Sequence, residues 1–320
     1  MGIRDHRALG LAALGAAFLA PPWLASDIQL FQLTNILIYA IALLGLNILV
    51  GYNGQISLGH AAFYAIGAYS AAALVAHFGV PHWLAVPVAG LAALAAGLLL
   101  GLPILNLDKM HLAMATFALG AVVPGLAKHR SLEPWTGGSQ GLALDAMEVP
   151  FGLPLSFDQW LYVFTLLALI GLLLLSRNLL RGRIGRAVVA IRDHPLAAQA
   201  MGINAPLYKL ATFGISALYA GIAGALAAVS IKYVAPGLFG TFLSFAFLIG
   251  IAVGGMGSLM GAVYGAFFLQ VIMLAVGHTA YSLRIVPLYV IYGLALVLAL
   301  HLAPNGIAGL VERLTRRRPM

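Results

Sequence analysis

Apolar residues in this chain come in long runs separated by short polar breaks. A run of about 20 apolar residues is what an α-helix needs to cross a bilayer. The runs predict helices near 8–25, 28–50, 57–77, 83–105, 111–127, 159–176, 208–231, 241–254, 258–277 and 284–303, ten spans in all. The stretch from Phe242 to Gly277 is almost continuously apolar, broken only by GGMGSLMG at Gly254–Gly261. It reads as two short helices, or as one helix and a broken one. The start, MGIRDHRALGLAALGAAFLA, has a basic head and a short apolar core. It reads as a first helix ended or kinked by Pro21-Pro22, or as a cleaved signal peptide.

The polar breaks carry a direction. Between Arg177 and Asn204 the sequence is RNLLRGRIGRAVVAIRDHPLAAQAMGIN, with five arginines between charge-free apolar runs. Basic residues accumulate on the cytoplasmic side of membrane spans. With ten spans, both termini join this segment there, and thirteen of the 17 basic residues lie on that side. Lys128, Arg130, Lys232 and Arg284 fall on the other. Nine spans would place the terminal RLTRRR outside, against the charge rule. The expected organisation is all-α and polytopic. One transmembrane domain covers residues 1–320, with a cytoplasmic loop at 177–207 and a basic cytoplasmic tail at 311–320.

Composition narrows the class. The chain is 62% hydrophobic and 8% charged, with mean hydropathy +1.00. Soluble domains carry about 25% charged residues, so lipid is the expected solvent. The net charge of +8 sits in loops and at the C-terminal end, not on a basic and aromatic surface of the kind that binds nucleic acid. Cysteine is absent, which excludes disulfides and thiolate metal sites. The nine histidines show no metal-ligand spacing. No Asp, Glu, Lys or Arg lies within a span interior. An ion-coupled secondary transporter needs such groups at membrane depth, so that rival is disfavoured. None of Lys109, Lys128, Lys209 and Lys232 follows a phosphate-cradling glycine loop, so no bound nucleotide or other cofactor is expected on this chain.

Three groups of residues are candidates for function. Gly51, Gly54 and Gly59 surround Asn53, Gln55 and Ser57 at a span boundary. This reads as a helix break lining a wet cavity, or as a plain turn. Asn53, Gln55, Ser57, Gly59, His60 and Tyr64 are therefore candidates for a translocation path. Asn47, Tyr69, Thr116, Ser216, Tyr219, Ser244 and Gln270 are weaker ones, and His60 also reads as a helix-end hydrogen-bond donor. Gly250 and Gly254, then Gly257, Gly261 and Gly265, recur at intervals that let helices approach closely in lipid. Gly254, Gly257 and Gly261 read as a gating helix that lines the path, or as ordinary tight packing. The loop Lys128–Asp158 holds Trp135, Thr136, Gly137, Gly138 and Gly141. GGSQG at Gly137–Gly141 matches a hydrolase nucleophile elbow, but no strand precedes it, so a catalytic Ser139 is rejected. Trp135 reads as an interfacial anchor before it reads as a substrate contact.

The third group closes the basic loop. Pro195 suits the first turn of a helix, and Asp193 before it suits the positive end of the dipole. Leu196–Met201 then form a short helix, and Gly202 suits the position just past its end.

GYNGQISLGHAAFYAIGAYSA (Gly51–Ala71) resembles a signature of the permease subunits of branched-chain amino acid ABC importers. TGGSQGL (Thr136–Leu142), GRAVVAIRDHPLAAQAMGINAPLYKL (Gly185–Leu210), GGMGSLMGAVYGA (Gly254–Ala266) and PNGIAGL (Pro304–Leu310) agree with it in order. The resemblance is to the longer of the two permease subunits. It implies the ABC importer permease fold and a location in the bacterial inner membrane. It also implies three kinds of partner component: a homologous second permease, two cytoplasmic ATPase subunits carrying ATP and Mg, and a periplasmic or extracellular binding protein. Sister permeases for urea, short amides or aromatic acids share the same motifs. Such permeases dock on their ATPase through E-A-A-x-x-x-G. Ala197, Ala198 and Gly202 fit that pattern, while Leu196 stands where the Glu would be. The resemblance thus assigns Arg192, Asp193, Pro195, Ala197, Ala198 and Gly202 to ATPase coupling, and the Trp135–Gly141 group to a face toward the binding protein.

Overall fold

A computed structural model describes residues 21–104, 109–145, 149–283, 293–294 and 306–316. Most of the expected first span (8–25) and of the last (284–303), with the tip of the basic tail, lies outside these residues.

The described chain is a helical bundle. Helix α1 (Asp27–Asn47) is entered through Ser26, whose N–H donates to Gln29 Oε1 at 3.0 Å, and it continues through one π-helical turn, Ile48–Tyr52. After an irregular stretch at residues 53–59 come α2 (His60–Phe78) and α3 (His82–Gly101), joined by a tight turn at Gly79. Helix α4 (Lys109–Ala127) leads into a loop holding a short helix, α5 (Glu133–Thr136). Helix α6 (Phe157–Arg181) starts on a reciprocal cap. Gln159 N–H donates to Ser156 Oγ at 3.3 Å, and Ser156 N–H donates to Gln159 Oε1 at 3.0 Å. Helices α7 (Arg183–Asp193) and α8 (Pro195–Ala200) form the basic loop. Helices α9 (Ala205–Ile231), α10 (Thr241–Gly254) and α11 (Leu259–Leu283) follow, and α12 (Gly306–Arg316) is the last described element.

Among the described residues, six helices are long and apolar enough to cross a membrane: Asp27–Tyr52, His60–Phe78, His82–Gly101, Met110–Ala127, Phe157–Arg181 and Ala205–Ile231. Thr241–Gly254 and Leu259–Leu274 are apolar but shorter. Large apolar side chains such as Leu99, Met114, Leu167, Leu175 and Phe267 stand exposed on the outside of the bundle. An apolar exterior over an apolar interior is the arrangement that lipid stabilises and water does not.

Helix α9 is the hub, packed along α1, α2 and α3. Small residues make up most of its buried face (Gly214, Ala217, Ala220, Gly221, Ala223, Gly224, Ala225, Ala227 and Ala228), with Phe213, Tyr219, Leu226 and Val229 set among them. In lipid, helix association depends on close van der Waals approach, and small residues permit it. The Gly67 Cα faces the Gly221 backbone, and Gly224 faces the Tyr64 backbone, so α2 and α9 touch main chain to main chain. At the end away from the basic loop, Leu142–Ala143 (β1) pairs antiparallel with Tyr233–Val234 (β2), Leu142 opposite Val234. This two-strand clasp ties the loop after α4 to the chain leaving α9. Leu144 N–H extends it by donating to Lys232 O at 2.9 Å.

Candidate functional site

Helices α7 and α8 lie at the basic end. The short helix runs Pro195–Ala200, with Gly202 in the left-handed region (φ 81°) just past it, as the Pro and Gly positions predict. Ala198 is buried against Ile191 and Ala205 in a small core of its own. Ala197 is exposed, and Leu196 and Met201 are 82% and 83% exposed. The surface available to a partner is thus apolar where the docking motif has a Glu. Asp193 does not cap α8, whose first turn follows His194; it pairs with Arg192 Nε at 2.9 Å. Arg192 turns inward, and its Nη1 donates to Gly51 O at 2.8 Å.

The irregular stretch 53–59 runs from the end of α1 back into the bundle. Asn53 Nδ2 donates to Thr212 Oγ1, and Gln55 Nε2 donates to Lys209 O at 3.1 Å, both near the start of α9. Leu58 N–H donates to Thr116 Oγ1 at 3.0 Å, and Gly59 lies against the Thr116 backbone. His60 then begins α2 with its ring Nε2 3.0 Å from Ala42 O. Ala42 lies about ten residues before Tyr52, roughly 15 Å along α1 at 1.5 Å per residue. Helix α2 therefore starts deep inside the bundle, not at its basic end. Non-helical backbone at such depth is tolerated only where protein satisfies it; here Thr116 Oγ1 takes the Leu58 N–H, while Thr212 and Lys209 O hold the Asn53 and Gln55 side chains.

The chain after α9 does the reverse. From the clasp it runs inward, placing Phe239 5.7 Å from the Tyr69 ring and 6.1 Å from the Tyr64 ring, and α10 then runs back to the basic end. Helices α2 and α10 thus begin side by side: Ala61 N–H donates to Ser244 Oγ at 3.0 Å. Phe247 packs on His60 and Tyr64 at 5.9 and 5.5 Å. Ser57 Oγ, Asn53 Oδ1 and Ser216 Oγ are buried with no hydrogen-bond partner among the described residues. The structure therefore buries Asn53, Gln55, Ser57, Gly59, His60 and Tyr64 along one stretch that runs from the start of α9 inward to Phe247. Ser244 joins them, and Thr116 supports them.

Thr116→Val keeps the side chain's shape and removes the acceptor for Leu58 N–H. An orphaned buried donor costs about 1–3 kcal/mol. The detergent-solubilised protein is expected to melt several degrees lower, with Thr116→Ser close to wild type.

The glycine pairs hold helices together. Gly254 meets Gly261 O, with Gly265 N 2.7 Å from where its Cβ would stand, and Gly265 meets Gly250 O. Helices α10 and α11 thus cross backbone to backbone. Gly254 and Gly261 sit in that contact, whereas Gly257 lies in the turn between the helices. Asn47, fully buried on α1, grips this turn: Gly257 N–H donates to Asn47 Oδ1 at 2.9 Å, and Asn47 Nδ2 donates to Ser258 O at 2.6 Å.

At the opposite end, Thr136 Oγ1 donates to Ala127 O at 2.7 Å, and Gly137 ends α5. Gly141 packs on Val234 O at the clasp. Trp135 stacks on Phe78 at 6.0 Å and meets the His77 ring edge-on at 5.2 Å, so it braces the loop on the end of α2. Among the described residues, no group of three or more His, Asp or Glu is placed to hold a metal. Sequence reasoning missed the clasp, the amphipathic α7 and the π-helical turn. For α7 a signal was present: Gly185, Ala187, Val188 and Ile191 share its buried face.

Broken helices that start inside an apolar bundle, with a short exposed helix at its basic end, define a multi-pass membrane transport protein. The chain matches, over residues 29–300, the family described as the permease component of branched-chain amino acid transport systems. It belongs to that family. It is 36% identical over 287 residues to the high-affinity branched-chain amino acid transport system permease protein LivM of Escherichia coli (strain K12), covering 82% of this chain and 67% of that one. The Salmonella typhimurium LivM is equally similar, at 36% over 287 residues. The probable branched-chain amino acid transport permease protein LivH of Methanocaldococcus jannaschii is 27% identical over 262 residues, 76% of this chain and 80% of that one. No solved structure matches the chain.

Proposed function

We propose that this chain is one permease subunit of an ABC importer that moves branched-chain or related hydrophobic amino acids into the cytoplasm. It crosses the inner membrane ten times with both termini inside, in a single domain. A homologous second permease pairs with it. Two ATPase subunits carrying ATP and Mg dock on α8, and a binding protein delivers substrate to the face that carries the clasp and Trp135. The buried region around Asn53, Ser57 and Ser244 lies on the path. Its uncharged lining suits a low-affinity passage, with selectivity set mainly by the binding protein.

The observation that carries this reading is α8 itself: a short helix seated through Ala198 on α7 and the start of α9, with Leu196 and, just past its end, Met201 facing outward, in a chain of this permease family. Deleting Pro195–Gly202 is expected to abolish co-purification with the ATPase. Undiminished co-purification rejects the docking assignment. Calorimetry on the partner binding protein is expected to show binding of Leu, Ile and Val, and its failure to bind all three rejects the substrate.

A further inference from the structure

The docking helix and the buried start of α10 are linked through hydrogen bonds at Gly51 and Asn47 and then through the packed length of α10. The linkage begins at Arg192, one turn before α8. Its acceptor exists because the helical run ends at Tyr52, and the carbonyls of a last turn have no partner within the helix. In a regular helix the Gly51 carbonyl receives the N–H four residues on, that of Gln55. Here Gln55 N–H donates to Leu49 O, Gly54 N–H to Val50 O and Asn53 N–H to Ile48 O. The Gly51 carbonyl is left free, and the Arg192 guanidinium takes it at 2.8 Å. A hydrogen bond from an ionised donor is among the stronger ones available.

The space is shaped for this side chain. A Cβ on Gly54 would stand 2.8 Å from Arg192 Cγ, and one on Gly257 would stand 4.0 Å from Arg192 Nη1. One turn back along α1, Asn47 holds Gly257 and Ser258 with both ends of its amide. These two residues end the link from α10 to α11, and Gly306 at the head of α12 abuts Gly255 at the link's start. Helix α10 then runs alongside α1, with Leu43 against Gly250 and Tyr39 against Phe247, up to Ser244, which accepts from Ala61 N–H. A helix of 14 residues is about 20 Å long and moves as a rod. A displacement of the Gly257 turn is therefore delivered at the start of α2.

We propose that Arg192 is a positioning residue for transport: it transmits movement of the docking helix, through Gly51 and Asn47, to α10 and the buried junction with α2. This rests on the importer reading above. Arg192 therefore acts inward, on the membrane helices, and is not itself an ATPase contact.

The test uses the complete transporter in proteoliposomes, with leucine-loaded binding protein and both leucine uptake and ATP hydrolysis followed. Arg192→Ala is expected to leave the ATPase attached and to lower leucine uptake per ATP hydrolysed about tenfold. Arg192→Lys retains one donor for Gly51 O and is expected to recover a substantial part. Arg192→Ala combined with Asn47→Ala is expected to be no worse than the poorer single variant, because both interrupt one linkage. Unchanged uptake per ATP in Arg192→Ala would overturn the proposal, as would losses that multiply in the double variant. Detachment of the ATPase would overturn it too, by making Arg192 a docking residue. An unmutated chain that captures no ATPase fails at an earlier point: it removes the importer reading, and this proposal with it.

Discussion

Gly224→Leu is expected to leave almost no folded protein. A Cβ at Gly224 would fall on the main chain of Tyr64, with the Tyr64 carbonyl carbon 2.7 Å away and its Cα 3.1 Å away. Overpacking against side chains costs about 1–3 kcal/mol, because rotamers shift to absorb part of it. Backbone has no rotamer to change, so α2 and α9 would have to separate. Helix α9 has no slack in which to do so, since its other faces hold α1 and α3. Gly221 already meets Ala93 Cβ on α3, and Tyr219 Cβ crowds Gly45 on α1. Separation would also pull His60 from Ala42 O and Ala61 from Ser244, dismantling the buried junction. The measurement is the yield of monodisperse protein after extraction in mild detergent, expected to fall more than tenfold. Gly171→Leu is the control. Gly171 is on α6 with nothing within 4 Å of its Cβ position, and its yield is expected within twofold of wild type. Equal yields for both variants would show that the close α2–α9 contact does not hold the bundle together.

That contact also shows how far sequence can be read. The glycines at Gly250–Gly265 are visible at helical spacing, and their choice of roles, packing or path, was open. Packing partners decide it, and partners are long-range. Gly224 and Gly67 carry the same role with no comparable pattern, since each faces a segment about 150 residues away. The boundaries of α8 were legible because proline and glycine act locally, through a missing N–H and a left-handed φ. The start of α2 was not. A hydropathy reading carries the helix back to residue 57, because Ile56 and Leu58 keep the window apolar. The helix begins at His60 because Thr116, Thr212 and Lys209 O offer the preceding backbone and side chains a different set of hydrogen bonds. Trp135 could be placed near an interface from its type, but its stacking on Phe78 depends on the fold of a loop. The inward turn of Arg192 was hidden for a similar reason. An arginine in a basic loop reads as a topology signal or an ATPase contact, and only the folded position of the end of α1 supplies its carbonyl.

The docking surface gives the other large expected effect. Leu196→Asp together with Met201→Gln is expected to detach the ATPase while leaving the permease folded. Both side chains are more than four-fifths exposed, so neither contributes packing that the chain would lose. Leu196 is in the first turn of α8, where an acidic residue favours the helix through its dipole. Local structure is thus retained or strengthened. What is lost is apolar burial in the complex. A fully buried Leu or Met is worth about 1.5–3 kcal/mol, so removing both weakens binding by on the order of a hundredfold or more. New charge at a desolvated contact adds to that cost. The reading is made by ATPase retained on affinity-purified permease, at equal permease recovery. A retained ATPase would mean that the apolar pair lies outside the interface. The motif's missing Glu would then have been replaced by contacts elsewhere on the basic end, on the exposed arginines of α7 rather than on α8. Loss of the ATPase would instead establish that this chain docks through an apolar contact in place of the acidic one, with Leu196 at its centre.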